Sequence, residues 1–136
     1  MKIKGPKKFS FPLLKLSDAE VEIMANAWLK STKHESLILS LVEEALIYGA
    51  QINPDQSFRV IQKICRKTNN QSILKMVAVN LLEDLMAFSA KKIKRKLYLE
   101  YKINKSFKMA FSFVYLTPKD KGYSVVKPFI KEFSYL

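Results

Sequence analysis

The hydrophobic positions of this chain recur at spacings of three and four, in runs separated by short polar breaks, which is the pattern of amphipathic helices. One run departs from it. Residues 72–88, SILKMVAVNLLEDLMAF, are apolar around nearly the whole helical circumference. At about 100° per residue, Leu74, Val77, Ala78, Leu81, Leu82, Leu85 and Phe88 fill one broad arc, and Ile73, Met76, Val79 and Met86 scatter over the rest. A helix apolar on most sides is a buried one. Lys75, Asn80, Glu83 and Asp84 interrupt the run too often for a membrane span, which needs about 20 residues nearly free of charge. The stretch is therefore the predicted core helix of an all-α domain.

The flanking runs supply its neighbours. Residues 1–16 read as an arm, because Gly5-Pro6 and Pro12 oppose a helix while Phe9, Phe11, Leu13 and Leu14 remain free to pack. Ser17-Asp18-Ala19-Glu20 is a capping box that starts a helix carrying Val21, Met24, Ala25, Trp28 and Leu29 on one face, with Trp28 as a core anchor. After a polar link at 31–35, the residues Leu37, Ile38, Leu41, Val42, Ala45 and Leu46 form a second stripe that stops at Gly49. Asn53-Pro54-Asp55-Gln56 then predicts a helix start, with asparagine as cap, proline in the first turn and glutamine reaching back. Phe58, Ile61, Ile64 and Cys65 form its apolar side; Arg59, Lys63, Arg66 and Lys67 form the other.

Beyond the core helix, Ile93, Leu97 and Tyr101 make a narrow apolar seam on a helix whose remaining surface is mostly lysine and arginine. Asn104 is placed to cap a further helix in which Phe107, Ala110, Phe111, Val114 and Tyr115 repeat at three and four. The β-branched and aromatic FSFVYL argues for strand there, but the spacing favours helix. Residues 117–122 read as a turn, and Val125, Val126, Phe129, Ile130 and Phe133 as a final segment folded back over the core. The expected architecture is a single helical domain over 17–136 with about six helices. Two helix-turn-helix units, 17–49 and 53–88, resemble HEAT-like helical pairs, and a compact helical bundle fits the same pattern.

Charge changes the picture more than composition does. The net charge is +12, and it is unevenly placed: residues 1–50 hold seven lysines against six acids, whereas residues 51–136 hold seventeen Lys and Arg against six. Such a field attracts polyanions, whether nucleic acid, an acidic protein or an anionic membrane surface. AT-rich coding, which favours lysine, is a plainer source of part of the excess. One cysteine and one histidine exclude an internal disulfide and leave no zinc set, so a reducing, cytoplasmic setting is expected. The basic N-terminus lacks the unbroken apolar stretch of a signal peptide.

The proline-started third helix, the core helix with Leu82-Glu83-Asp84-Leu85, and the basic helix leading to Lys105-Ser106-Phe107-Lys108 carry a further signal. Across about residues 20–116 the chain resembles a family of small, uncharacterised, all-helical bacterial proteins with a Leu-Glu-Asp-Leu motif. Where that family has Gly-Pro before the motif and His-Gly after it, this chain has Val79-Asn80-Leu81 and Ala87-Phe88-Ser89. The resemblance implies an all-helical bacterial domain and helix over 105–116, and it brings no activity. Small helical families of this kind often include immunity proteins, which adds weight to protein binding by analogy.

Candidate chemistry is sparse. Glu83 and Asp84 offer themselves as an acid–base pair, or as metal ligands with Asn80, yet adjacent helix positions point about 100° apart and do not converge. A structural role, accepting backbone amides or pairing with a lysine, is expected. His34 has no partner in sequence, Cys65 falls on the buried side of its helix, and no glycine-rich phosphate loop exists. No catalytic residue, metal site or cofactor is expected. The binding candidates are two cationic faces: Arg59, Lys63, Arg66 and Lys67, then Lys91, Lys92, Lys94, Arg95, Lys96 and Lys102, with Tyr98 and Leu99 inside the second arc. These predict a non-enzymatic module that engages an acidic protein, of immunity or scaffold type. The alternative is nucleic-acid binding without sequence specificity, with Tyr98 as a stacking surface. A membrane-surface role ranks third, because the apolar seam is too narrow to insert.

Overall fold

The helices that begin after Ser17, Asn70 and Asn104 each start on a side chain that takes up one of the first free amides. In a computed structural model of the protein, residues 15–33, 42–47 and 52–133 are described, with side chains as far as 128. Among them the chain is all-α. Helix α1, Asp18–Ser31, opens on the expected capping box: Ser17 Oγ accepts from the Glu20 amide at 3.1 Å, and the Ser17 amide donates to Glu20 Oε1 at 2.7 Å. A helical segment covers 42–47. Helix α2 is Pro54–Lys67. Helix α3 is a continuous rod made of Gln71–Val77, a π-helical turn at Ala78–Leu82, and Glu83–Ser89. Asn70 caps it, its Oδ1 accepting from the Ile73 amide at 3.1 Å. Helices α4, Lys94–Ile103, α5, Lys105–Phe111, and α6, Tyr123–Phe133, follow.

Two expectations at the start of α2 are corrected. Asn53 makes no side-chain cap; its backbone carbonyl takes the amides of Gln56 and Ser57 instead. Gln56 does not reach back. It is buried, and its Oε1 accepts from the Leu16 amide at 2.9 Å and from Arg59 Nη1 at 2.8 Å. Leu16 is itself buried, so its amide needs a protein partner, and Gln56 provides one.

The π turn corrects the reading of the core helix. Glu83 N–H donates to the carbonyl of Ala78, five residues back, so one extra residue enters the rod and every later side chain is rotated by about 100°. Leu74, Val77, Ala78, Leu81, Leu82 and Leu85 are buried as the wheel required. Phe88 is not: it is 47% exposed, while Met86 and Ser89 turn inward.

Helix α1 packs along α2, and α5 lies against α2, α3 and α4. An aromatic chain marks that junction. Phe107 meets Phe58 of α2 edge-on at 5.9 Å and stacks on Phe111 at 5.8 Å, and Phe111 meets Tyr101 of α4 edge-on at 5.6 Å. Each such pair contributes about 0.5–1.5 kcal/mol beyond its buried area. One short helix thus touches three others. Asn104 caps α5 as expected, its Oδ1 accepting from the Phe107 amide at 3.1 Å. The helix ends at Phe111, short of Tyr115, in three-residue turns from Phe113 to Ala110 and from Val114 to Phe111. Val114 is still buried, but Tyr115 is exposed, and its amide donates to Glu83 Oε2 at 3.0 Å.

The predicted turn at 117–122 is present, closed by Asp120, whose Oδ2 accepts from the Thr117 amide at 2.8 Å. It ends on Gly122, whose amide donates to the Ala87 carbonyl at 3.2 Å. A Cβ on Gly122 would lie 1.7 Å from the Met86 carbonyl oxygen, so only glycine lets this turn sit on α3. Val125 and Val126 of α6 are buried there. The expectations for residues 1–14, for Leu37, Ile38, Leu41 and Gly49, and for the side chains of Phe129, Ile130 and Phe133 lie outside the described residues.

Candidate binding surface

The two cationic faces have different surroundings. On α2, each of the four cations meets a carboxylate. Arg59 donates through Nη2 to Asp18 Oδ1 at 2.8 Å, and through Nη1 to the Leu16 carbonyl and Gln56. Lys63 and Lys67 both reach Glu22, Lys63 at 3.7 Å and Lys67 through a direct hydrogen bond. The Lys67 hydrogen bond is the main cause holding the Glu22 carboxyl below its ordinary value.

Arg66 is engaged most firmly. Its Nη2 and Nε donate to the two oxygens of Glu100 at 2.8 and 3.0 Å, a bidentate fork. Glu100 is 1% exposed on the inner side of α4, and it also accepts from Gln62 Nε2 and Asn104 Nδ2, each at 2.7 Å. Burial acts to raise its pKa. The bonds from Arg66, Asn104 and Gln62, with the arginine's charge, outweigh that and hold the carboxyl below its ordinary value. In turn the bond to Glu100 raises the Arg66 guanidinium above its own. This four-donor carboxylate was missed in the sequence, although it left a mark there. Glu100 is the one acid in 91–108, and it stands three residues after Leu97 and one before Tyr101, inside the buried arc.

The α4 face is open. Ile93, Leu97 and Tyr101 are buried as the seam predicted, and Lys91, Lys92, Lys94, Arg95, Lys96 and Lys102 are exposed. Lys96 pairs with Asp55 at 3.1 Å. Among the described residues the other five form no ion pair. Tyr98 is half-buried, with Lys94 Nζ 5.7 Å from its ring centre, so one face of the ring is already partnered by a cation. Two apolar side chains stand among these charges: Leu99 is 56% exposed and Ile103 71%. They lie one turn apart, on the side of α4 away from its seam. Ile103 was not singled out in the sequence, where its only signal was that position relative to Leu99.

The acidic candidates of α3 do not meet. Glu83 takes the Tyr115 amide, the backbone-accepting role expected for this pair, and Asp84 is half-buried, its carboxyl pushed up by burial. Asn80, in the π turn, donates to Glu43 Oε2 at 3.2 Å, where Trp28 Nε1 also donates at 3.0 Å. Cys65 is buried, and desolvation, helped by Glu100, pushes its thiol up to about 12, the opposite of what nearby cations alone would do. Among the described residues no three His, Cys, Asp or Glu side chains gather to hold a metal ion, and no helix is long and apolar enough to cross a membrane. His34 lies outside the described residues.

No family model matches the chain, and neither a characterised protein nor a solved structure matches it.

Proposed function

We propose that the chain is a non-enzymatic binding module whose α4 face engages an acidic protein, in an immunity or scaffold role. The observation that supports this reading is the placement of Leu99 and Ile103, both exposed, within a field of cations of which, among the described residues, only Lys96 is in an ion pair. Phosphate backbones reward charge alone. An acidic protein surface rewards charge for encounter and apolar anchors for affinity, and this face offers both. The relation to small helical bacterial families and a cytoplasmic setting belong to the same proposal.

The test uses two probes, an amphipathic peptide of glutamate and leucine and an oligonucleotide in duplex and single-stranded form. The peptide is expected to bind, to lose at least tenfold in affinity with Leu99→Ser plus Ile103→Ser, and to lose binding altogether when Lys92, Lys94, Arg95 and Lys96 become glutamate. Oligonucleotide binding that falls steeply with salt and ignores the Leu99 and Ile103 changes would overturn the protein reading in favour of nucleic acid.

A further inference from the structure

Between α1 and α2 lies a cleft of about 280 Å³ lined by Asp18, Val21, Arg59, Gln62, Lys63 and Arg66. We infer that this cleft is a binding site for a phosphate group, carried by a small phosphate monoester or by the free ion. It lies away from the outer face of α4 and does not depend on the reading given above.

The argument starts from the spacing. Arg59, Lys63 and Arg66 sit at i, i+4 and i+7, so one side of α2 brings three cations to the cleft. The lining itself contains a single carboxylate, Asp18, whose side chain is fully exposed. An ion pair that open to water is weak and can be exchanged for a better anion. Lys63 is held only at 3.7 Å by Glu22, which lies outside the lining. The two arginines are positioned by groups that a ligand would leave in place. Arg59 is anchored through Nη1 to the Leu16 carbonyl and to Gln56, and Arg66 through Nε and Nη2 to buried Glu100. Both guanidinium groups are therefore held in place before any ligand arrives, Arg59 with Nη2 on the exchangeable Asp18 and Arg66 with Nη1 outside its bonds to Glu100, which lowers the ordering cost of binding.

The number of donors selects the ligand. A carboxylate presents two oxygens, whereas a phosphate presents three or more and carries up to two charges, so it can meet both arginines and Lys63 together. Gln62, whose amide nitrogen is bonded to Glu100, lines the wall beside them. The volume is at the small end for ligand sites, which run from about 300 Å³ upward. That suits a headgroup of this size.

Inorganic phosphate and glycerol phosphate, titrated separately into the full chain and followed by backbone amide shifts, provide the test. Saturable shifts centred on 59–66 are expected, and a tighter monoester would identify the ester as the natural source. Lys63→Ala should weaken binding about tenfold. Asp18→Asn, which removes the competing carboxylate, should tighten it severalfold. The variant with Lys92, Lys94, Arg95 and Lys96 changed to glutamate should bind phosphate through this cleft as before. Shifts that do not saturate, that Lys63→Ala leaves unchanged, or that vanish in the α4 variant overturn the assignment.

Discussion

Helices α2 and α4 carry the two cationic faces of the protein, and in the sequence they look alike. In the folded chain they differ in what stands opposite them. The α2 cations face α1 and the inner side of α4, and Asp18, Glu22 and Glu100 take all four. On the outer side of α4, one of the six cations, Lys96, has an acidic partner among the described residues, Asp55 at the start of α2. A run of lysine and arginine is therefore positioned by carboxylates where the fold brings them to it, and left to solvent where it does not. The difference is made by long-range packing, since the partner of Arg66 stands 34 residues away.

The strongest way to break this comparison is to remove one acid from each side. Glu100→Ala strips four donors of a buried acceptor and leaves a gap between α2 and α4. Loss of one partner from a buried, hydrogen-bonded pair costs about 3–5 kcal/mol, and the half-exposed Arg66 places this case at the lower end. Asp55→Ala removes the acid paired with Lys96, an exposed pair worth no more than about 1 kcal/mol. Denaturant unfolding of both variants should separate them by at least about 2 kcal/mol, the difference of those two ranges. Equal losses would mean that the two faces are held in the same way.

A finer cut uses one conservative change in both places. Arg66→Lys keeps the charge but gives up the planar fork on Glu100, and a hydrogen bond to a charged group is worth about 1.5–3 kcal/mol. A loss of about 1.5 kcal/mol is expected, since lysine retains one contact. Arg95→Lys touches no described partner and should leave the unfolding midpoint within error.

Much of the scaffold was legible because it rests on local rules. The Ser17–Glu20 box, the Asn104 cap and the Ile93, Leu97, Tyr101 seam each depend on residues within two or three turns of one another. What was not legible depends on insertion or distance. The π turn adds a residue to α3 without any glycine or proline to announce it, and so Phe88 and Met86 exchanged places. Gln56 was assigned to its own helix start, but Leu16, 40 residues away, claims it. The site reading met the same boundary. The charges could be counted and placed on helix faces, while the carboxylates that occupy the α2 face come from α1 and α4.

Acid sharpens the comparison with the smallest expected effect. The Glu100 carboxyl sits below its ordinary value when folded and returns to about 4.3 when unfolded. A lowered folded value means that the unfolded chain binds more protons in this window, so stability rises with pH there. The contribution of Glu100 is thus complete above about pH 4.3 and is lost as the pH falls toward the folded-state value. Glu22 works in the same direction but is exposed, so its share is screened. The exposed positions of α4 carry no carboxylate. The unfolding midpoint of the unaltered protein should therefore drop as the medium is acidified, and Glu100→Gln should show a shallower drop from a lower start. The variant with four α4 cations changed to glutamate should follow the slope of the unaltered protein near neutral pH and depart from it only where its new carboxylates protonate. If Glu100→Gln and the unaltered protein lose stability in parallel, the carboxylate between α2 and α4 is not what acid attacks first.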